Sequence, residues 1–453
     1  MKTNIKTFKG INLICILGII IMILIPYTVK LNTFLVVSCC GIGILLGDFF
    51  LKKQFYLLYL AIFLCIPSGF AMYDVELPGI SQLNKGVRMW VIYPLILLAI
   101  LKLHKFKDVL MLRYVNFVVV PCILVCILQF LLTNNDNEYT RLYSMLSSGI
   151  CILLMVYFDK KLTFEDFYKY ITILFIVSSI YAILQFYFLS PYNFIKEMTS
   201  MNSEINRISG LLGHPLFLSF FASFFQTLIF IRLLINNKIN ITHECICLIT
   251  GFLTVSRVFI LSLFVVTFVF LILSGKIKSI KTILGILFVF CLSYYTLTEF
   301  DSGILSDFKS RFENGDVNHR QGIYEIAFFL LGQNLLGAGY SNVMEAVYST
   351  RINTNMLIQN FSTVDNLFLT SFIAYGIFSI FFIVYYYYPL LVIWKVKSKN
   401  KPIIKCMILA YLNIFIYSCT LDWEASIVVS ALVFSLSGLL LRLLFIKDEA
   451  HKV

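Results

Sequence analysis

Residues 215–235, PLFLSFFASFFQTLIFIRLLI, hold one arginine among otherwise uncharged and mostly large apolar side chains. An α-helix needs about 20 such residues to cross the hydrocarbon core of a bilayer. Similar stretches recur along the 453 residues, of which 60% are hydrophobic and only 13% are charged. Because a soluble core could not bury so much apolar surface, the sequence predicts an all-α polytopic membrane protein.

About 14 apolar stretches, most of them about 17 to 25 residues long, are candidate transmembrane helices. They lie near residues 11–29, 31–50, 54–72, 87–103, 111–132, 141–158, 170–190, 215–235, 241–255, 257–274, 279–298, 366–394, 402–420 and 424–446. The first follows a short basic head without a small-residue cleavage site, which indicates a retained anchor. We therefore interpret residues 1–453 as a single transmembrane domain.

Residues 241–274 allow two interpretations, one long span or a hairpin with Arg257 at its outer tip. The hairpin keeps most of the 36 Lys and Arg residues in cytoplasmic segments, as the positive-inside rule requires. A single span would move several basic clusters outside. We favour the hairpin, which places both termini in the cytoplasm and residues 299–365 in one large external loop.

The predicted external loop is the only long segment in which charged, amide and glycine residues outnumber membrane-type residues. Within it, residues 318–332 have helical periodicity, which predicts an amphipathic helix at the membrane interface or against the bundle. The apolar side chains on its common side are Ile323, Ile326, Ala327, Leu330 and Leu331. Gly337 and Gly339 are expected to end this helix.

Composition also excludes several function classes. All 12 cysteines lie in apolar stretches, where a thiol behaves as a small hydrophobe and indicates neither disulfides nor zinc. The net charge of +12 comes from short loops rather than from a basic stripe, so nucleic acid is not an expected partner. No His, Cys and Asp cluster has metal-ligand spacing, and no metal or other cofactor is predicted.

Two groups of candidate anion-binding residues lie directly before predicted spans. In the first, Arg207 and His214 flank Gly210, and Pro215 suits the first turn of a helix. The amides at such a helix N-terminus bind phosphate; the alternative is a glycine-rich turn whose arginine is anchored at the head groups. In the second, Arg257 lies between apolar stretches and would either reach the same anion or extend to the outer surface.

Two further constellations belong to the predicted external loop. Arg311, His319 and Arg320 offer guanidinium groups that suit phosphate or sugar hydroxyls, although loop arginines are also ordinary solvated residues, and His319 would equally begin a helix. Asp365 and Asn366 open the twelfth predicted span. A carboxylate there could be a general base, but spacing alone favours a helix N-cap.

Five short strings within about residues 208–379 resemble the group of O-antigen polymerases and O-antigen ligases, polytopic enzymes of bacterial lipid-linked glycans. They are RISGLLGHP at 207–215, TVSR at 254–257, HRQGIY at 319–324, LLGAGY at 335–340 and DNLFLTSFIAYG at 365–376. Ligases of this group carry a histidine, then Asn, Ser or Gln, then nine residues and a glycine. In this sequence Asn366 and Gly376 fit that pattern, but Asp365 stands in place of the histidine. The aspartate therefore favours a polymerase.

The resemblance implies a donor glycan on a polyprenyl pyrophosphate and an acceptor hydroxyl on another lipid-linked unit. It implies that Arg207 and Arg257, with Arg320, bind the pyrophosphate, and that Asp365 accepts the acceptor's proton. The remaining substrate-binding candidates are His214, Arg311, His319, Tyr324, Tyr340 and Asn366, the two tyrosines as platforms for sugars. The expected location is the bacterial cytoplasmic membrane, with flippase and chain-length regulator proteins as partners.

Two other functions stay open from sequence. A ligase would use the same pyrophosphate site to transfer a finished glycan to a separate acceptor. A lipid-linked oligosaccharide flippase or another transporter would also be polytopic and basic, but it would carry charged residues deep in many spans or repeated halves with broken helices. Intramembrane charge is sparse in this sequence.

Overall fold

The computed structural model describes residues 109–133, 145–159, 162–187, 208, 210–212, 214–238, 240–275, 317–354, 364, 366–395, 401–423 and 426–450. Every regular element in these ranges is helical. The first four predicted spans and the span at 279–298 lie outside the described residues, so the count of 14 stays a prediction.

We number the helices of the described part of the chain α1 to α12. Helix α1 comprises Val109–Tyr114, the π-helical Val115–Val119 and Val120–Thr133, and α2 comprises the π-helical Met145–Cys151 and Ile152–Phe158. The others are α3 Phe164–Tyr187, α4 Pro215–Asn236, α5 Ile241–Leu253, α6 Arg257–Ser274, α7 Val317–Gln333, α8 Val343–Thr354, α9 Leu367–Tyr375, α10 Ser379–Lys395, α11 Lys401–Ser418 and α12 Ile427–Ala450. Single 3₁₀ turns occupy Gly210–Leu212, Tyr340–Asn342 and Gly376–Phe378.

Judged by length and composition alone, seven stretches in the described residues could cross a membrane, one of which folds back on itself as described below. They are Val115–Thr133, Phe164–Leu184, Pro215–Asn236, Arg257–Ser274, Leu367–Ile393, Lys401–Ser418 and Val428–Phe445. Two apolar helices are shorter, Gly149–Phe158 and Ile241–Leu253. The protein is therefore a multi-pass membrane protein, as the sequence predicts.

Helix α4 occupies the centre of the helical bundle and packs against α3, α5, α6 and α11. Its side chains from Leu218 to Ile231 are buried throughout, because the helix has a neighbour on each side. Polar side chains also join α4 to its neighbours. Ser223 of α4 and Ser262 of α6 both donate a hydrogen bond to Oδ1 of Asn413 on α11, each at 2.7 Å. Such hydrogen bonds help helices to associate in a membrane, because the hydrophobic effect does not drive helices together in lipid.

Residues 241–274 form two helices, which confirms the two-helix interpretation. Helix α5 ends at Leu253, a short turn follows, and α6 begins at Arg257. Gly251 permits the close return, because a Cβ there would lie 2.0 Å from the ring of Phe259. With 13 residues, α5 rises only about 20 Å, so it is a short apolar helix, in keeping with the interpretation of this hairpin as short spans.

Residues 366–394 also depart from the predicted single straight span. Phe368 and Tyr387 are 19 positions apart (368 to 387), which corresponds to about 28 Å along a continuous helix, yet their ring centroids are 6.1 Å apart. Tyr375 stacks on Phe382 at 3.9 Å. The chain therefore folds back at Gly376, whose φ is +53°, and α9 packs beside α10.

Candidate functional site

Helices α4, α6 and α9 begin at the same end of the bundle at which α11 ends, and we call it the site end. Ser219, in the second turn of α4, bonds to Ser256 before α6 at 3.0 Å and to the Tyr417 hydroxyl of α11 at 2.7 Å. Asn366, before α9, donates from Nδ2 to the Cys419 carbonyl at 2.9 Å. These contacts bring together motifs that are far apart in the sequence.

Helix α4 begins as predicted, with Pro215 in its first turn and His214 at the N-cap. The imidazole Nδ1 of His214 accepts a hydrogen bond from the Leu216 amide at 3.3 Å. This bond fixes the ring at the helix start, so the structure assigns His214 a capping role. Arg207 lies outside the described residues, and its place beside this helix start stays a prediction.

The turn before α6 is strained. Val255 is fully buried and has a φ of +49°, in the left-handed region that a β-branched residue rarely adopts. Ser256 holds the N-cap position without a capping bond from its side chain, because its hydroxyl bonds to Ser219 instead. The strained turn places the partly exposed Arg257 at the first position of α6, beside amides that carry the positive end of the helix dipole.

Asn366 is the N-cap of α9, since its Oδ1 accepts the Leu369 amide at 3.0 Å. The same side chain donates to the Tyr324 hydroxyl of α7 at 3.2 Å. The residue that caps α9 is thus Asn366, whereas the sequence favours that role for the carboxylate of Asp365. Asp365 lies outside the described residues, and its role as a base is still a prediction.

The segment after α11 completes the site end. Tyr340 donates from its hydroxyl to Asp422 Oδ2 at 3.4 Å, so this tyrosine is tied to the bundle. Partial burial raises the pKa of the Cys419 thiol, which disfavours its thiolate at neutral pH. Sequence reasoning missed the structural roles of Ser219 and Tyr417, whose only signal was a hydroxyl inside an apolar stretch.

Helix α7 confirms the helix predicted over 318–332. Ile326 and Ala327 are buried, whereas Phe328 is exposed, so one side faces the bundle as expected. His319 and Arg320 lie in the first turn of α7, where only the backbone is described. Arg311 lies outside the described residues. A pyrophosphate site formed by several arginines is therefore not tested by the described geometry.

The strings LLGAGY and DNLFLTSFIAYG meet at a backbone contact that we call the turn junction, formed by residues 335–339 and 373–377. The amides of Ala338 and Gly339 donate to the carbonyls of Ile373 and Ala374, both at 2.9 Å. Two glycines allow this approach: a Cβ on Gly337 would lie 2.3 Å from the Ala374 oxygen, and one on Gly376 would lie 2.1 Å from the Leu335 oxygen.

The opposite end of the bundle carries paired cations. Arg232 bonds to Glu165 with a shortest distance of 2.8 Å and lies over the ring of Tyr168 at 4.5 Å. The guanidinium of the buried Arg442 donates to three backbone carbonyls at the end of α2 and before α3. Lys405 donates to the Leu273 carbonyl near the end of α6.

Within the described residues, no group of three or more His, Cys, Asp and Glu side chains could hold a metal ion. No known protein-family model matches the sequence, and no curated protein matches it either. The resemblance to O-antigen polymerases and ligases therefore stays a prediction from the motifs.

Proposed function

We propose that this protein is a polymerase of a bacterial surface polysaccharide. It joins oligosaccharide repeat units carried on polyprenyl pyrophosphate, by inverting glycosyl transfer at the outer face of the cytoplasmic membrane. The donor glycan leaves its pyrophosphate and is captured by a sugar hydroxyl of a second lipid-linked unit. No metal is required, because arginines and helix N-termini neutralise the leaving group.

One observation carries the proposal: three helices begin at the site end, and Arg257 is the first residue of one of them. The first amides of a helix have no intrahelical partner and attract anions. A leaving pyrophosphate gains charge in the transition state, so groups held in place by the fold stabilise it without reorganisation. Arg207 and Arg320 are the further cations of the proposed site.

The acceptor side of the proposed site lies at the start of α9. Asp365 takes the proton of the acceptor hydroxyl, and Asn366 positions that aspartate through its cap and its bond to Tyr324. Tyr324 is exposed, as a platform for a sugar requires. Attack from this side, opposite to the leaving pyrophosphate, gives inversion at the anomeric carbon.

The decisive experiment is reconstitution of the purified full-length protein in lipid vesicles with a polyprenyl-pyrophosphate repeat unit from its own host. A ladder of multiples on a gel is expected. Transfer of the unit to a separate added acceptor without a ladder would instead identify a ligase. Movement of the unit between leaflets without covalent change would identify a transporter, and either result would overturn the proposal.

A further inference from the structure

The turn junction and its surroundings carry a second inference, which does not depend on the proposed function. Helices α7 and α8 pack against each other and against α9, so α7 and α8 form one helical hairpin and α9 and α10 form another. The tips of the two hairpins meet at the turn junction. Between Glu325 and Glu345 no residue is charged, and none is charged from 366 to 394.

Nearly all backbone polar groups at the first tip have hydrogen-bond partners. From Leu336 to Gly339 every amide donates a hydrogen bond, and from Leu335 to Gly339 every carbonyl accepts one. The partners are the second tip, the backbone of Asn334 and Asn342, and the side chains of Gln129, Asn334 and Asn342. A turn in water needs no such pairing, because water bonds to the groups that the chain leaves open.

Large apolar side chains near these paired turns are exposed, beside the exposed amide residues Gln333 and Asn334. The exposed fractions are 69% for Phe328, 62% for Leu335 and 62% for Ile377. An exposed apolar surface around turns without charge is costly in water. In hydrocarbon, by contrast, exposed apolar side chains are favourable, and irregular backbone is tolerated only where its polar groups are satisfied within the protein.

The apolar surface continues onto a candidate transmembrane helix. Gln129, near the end of the candidate span Val115–Thr133, donates to the Leu336 carbonyl. Leu131 and Leu132, two and three residues later, are exposed and apolar as well. The tips therefore lie beside the last turns of a helix whose composition is that of a membrane span.

We propose that the turn junction is embedded in the hydrocarbon of the bilayer, so that α7–α8 is a re-entrant hairpin whose tip meets the turn between α9 and α10 inside the membrane. The occupant of the exposed apolar surface is the acyl chains of bilayer lipid. Residues 299–365 are then not wholly an external loop, because the segment between Glu325 and Glu345 returns to the membrane without crossing it.

Tryptophan placed at the tips tests the inference in the full-length protein. Leu335→Trp and Ile377→Trp each add one fluorophore to the three native tryptophans, at side chains that are already exposed. The matched control is Ser349→Trp, at an exposed position of α8 beyond Glu345. Each variant is reconstituted with brominated phospholipids or treated with aqueous iodide, and the parent's emission is subtracted.

We expect brominated lipid to quench the added emission of both tip variants roughly twofold or more relative to iodide, because only hydrocarbon-embedded groups meet the acyl chains. The Ser349→Trp emission should show the reverse preference. Tip emission that iodide quenches as strongly as it quenches the control would overturn the proposal. Tip emission that neither agent quenches would overturn it too, since a protein surface would then cover the tips.

Discussion

The two ends of the helical bundle satisfy their helix termini by opposite means. At the end opposite the site, cationic side chains bond to helix carbonyls: Arg442 near the end of α2 and Lys405 near the end of α6. At the site end, the described helix caps are formed without cationic side chains: His214 and Asn366 accept hydrogen bonds from the first amides of α4 and α9.

The helix dipole explains the division and gives it a functional consequence. Helix C-termini attract cations, and N-termini attract anions. At the end opposite the site, the cations that bond to helix carbonyls stabilise the fold. At the site end, uncharged caps leave the positive end of each helix dipole able to attract an anion. Arg257 adds a cation to the start of α6. We therefore expect substitutions at the site end to change chemistry and those at the opposite end to change folding.

The largest expected effect is on the rate of glycosyl transfer when Arg257 loses its charge. Arg257→Gln should lower the polymerisation rate about 10²- to 10³-fold, as the removal of one group that stabilises transition-state charge typically does. Product ladders in reconstituted vesicles measure the rate. Arg257→Lys should retain part of it, because a charge remains while the bidentate fork is lost.

The matched control for that prediction is Arg232→Gln at the opposite end. Its ion pair with Glu165 is partly exposed, so about 1 kcal/mol of stability or less is expected to be lost. The rate per folded molecule should not change. If Arg232→Gln lowered the polymerisation rate as much as Arg257→Gln, the proposed functional difference between the two ends of the bundle would be wrong.

The next effect is on stability at the opposite end. Arg442→Met removes the guanidinium bonds to the carbonyls of Val156, Asp159 and Leu162. Because those carbonyls lose charge-assisted bonds, we expect a loss of about 3 kcal/mol, measured as a lower thermal unfolding midpoint in detergent. A variant that unfolds normally but loses polymerisation would show that this end also takes part in the chemistry.

Adding a single methyl group at the turn junction should lower the stability of the protein. Gly337→Ala places a methyl group 2.3 Å from the Ala374 oxygen, at a φ of +84°, and should cost about 2–3 kcal/mol through overlap and strain. Gly332→Ala is the control, because a Cβ there meets no atom within 4 Å and favours the helix.

A third glycine separates strain from overlap. Gly275 has a φ of +74° with open space around it, so Gly275→Ala should cost only about 1 kcal/mol. The thermal unfolding midpoints of the three alanine variants should fall in the order Gly332, Gly275, Gly337, from highest to lowest. If Gly337→Ala were no worse than Gly275→Ala, the close backbone approach would be disproved.

The smallest effect is expected at Asn366. Asn366→Asp keeps the acceptor for the Leu369 amide but loses the donated bonds to Tyr324 and Cys419, which should cost about 1 kcal/mol of stability. Asn366→Ala loses the cap as well, for about 1 kcal/mol more. Equal midpoints for the two variants would mean that the cap contributes nothing and that the donated bonds alone hold α9 in place.

Local patterns predicted the features that depend on neighbouring residues. The start of α4 followed from Pro215 and its preceding histidine, and the break before Arg257 followed from charge placement in the short loops. A cap at the start of α9 followed from the pair Asp365 and Asn366, although not which of the two forms it. The two helix starts are decided within a few residues by backbone groups that the adjacent side chains can satisfy, whereas the break before Arg257 was predicted from charge along the whole chain.

Features formed by distant contacts were not predictable in this way. Residues 366–394 have the length and hydropathy of one span, and nothing local to them indicates that α9 folds back on α10. That reversal depends on the turn around Gly337, which lies far earlier in the chain and supplies partners for the carbonyls of Ile373 and Ala374.

By itself, the sequence determined that this chain lies in a membrane and is helical, because composition and the length of apolar stretches decide the solvent. It also determined where several helices start, because caps act over three or four residues. The alternation of spans further predicted that α4, α6 and α9 begin on one side. Only the tertiary structure decided which residues meet there and that two glycine turns pair, because those contacts depend on hydrogen bonds between residues tens to hundreds of positions apart.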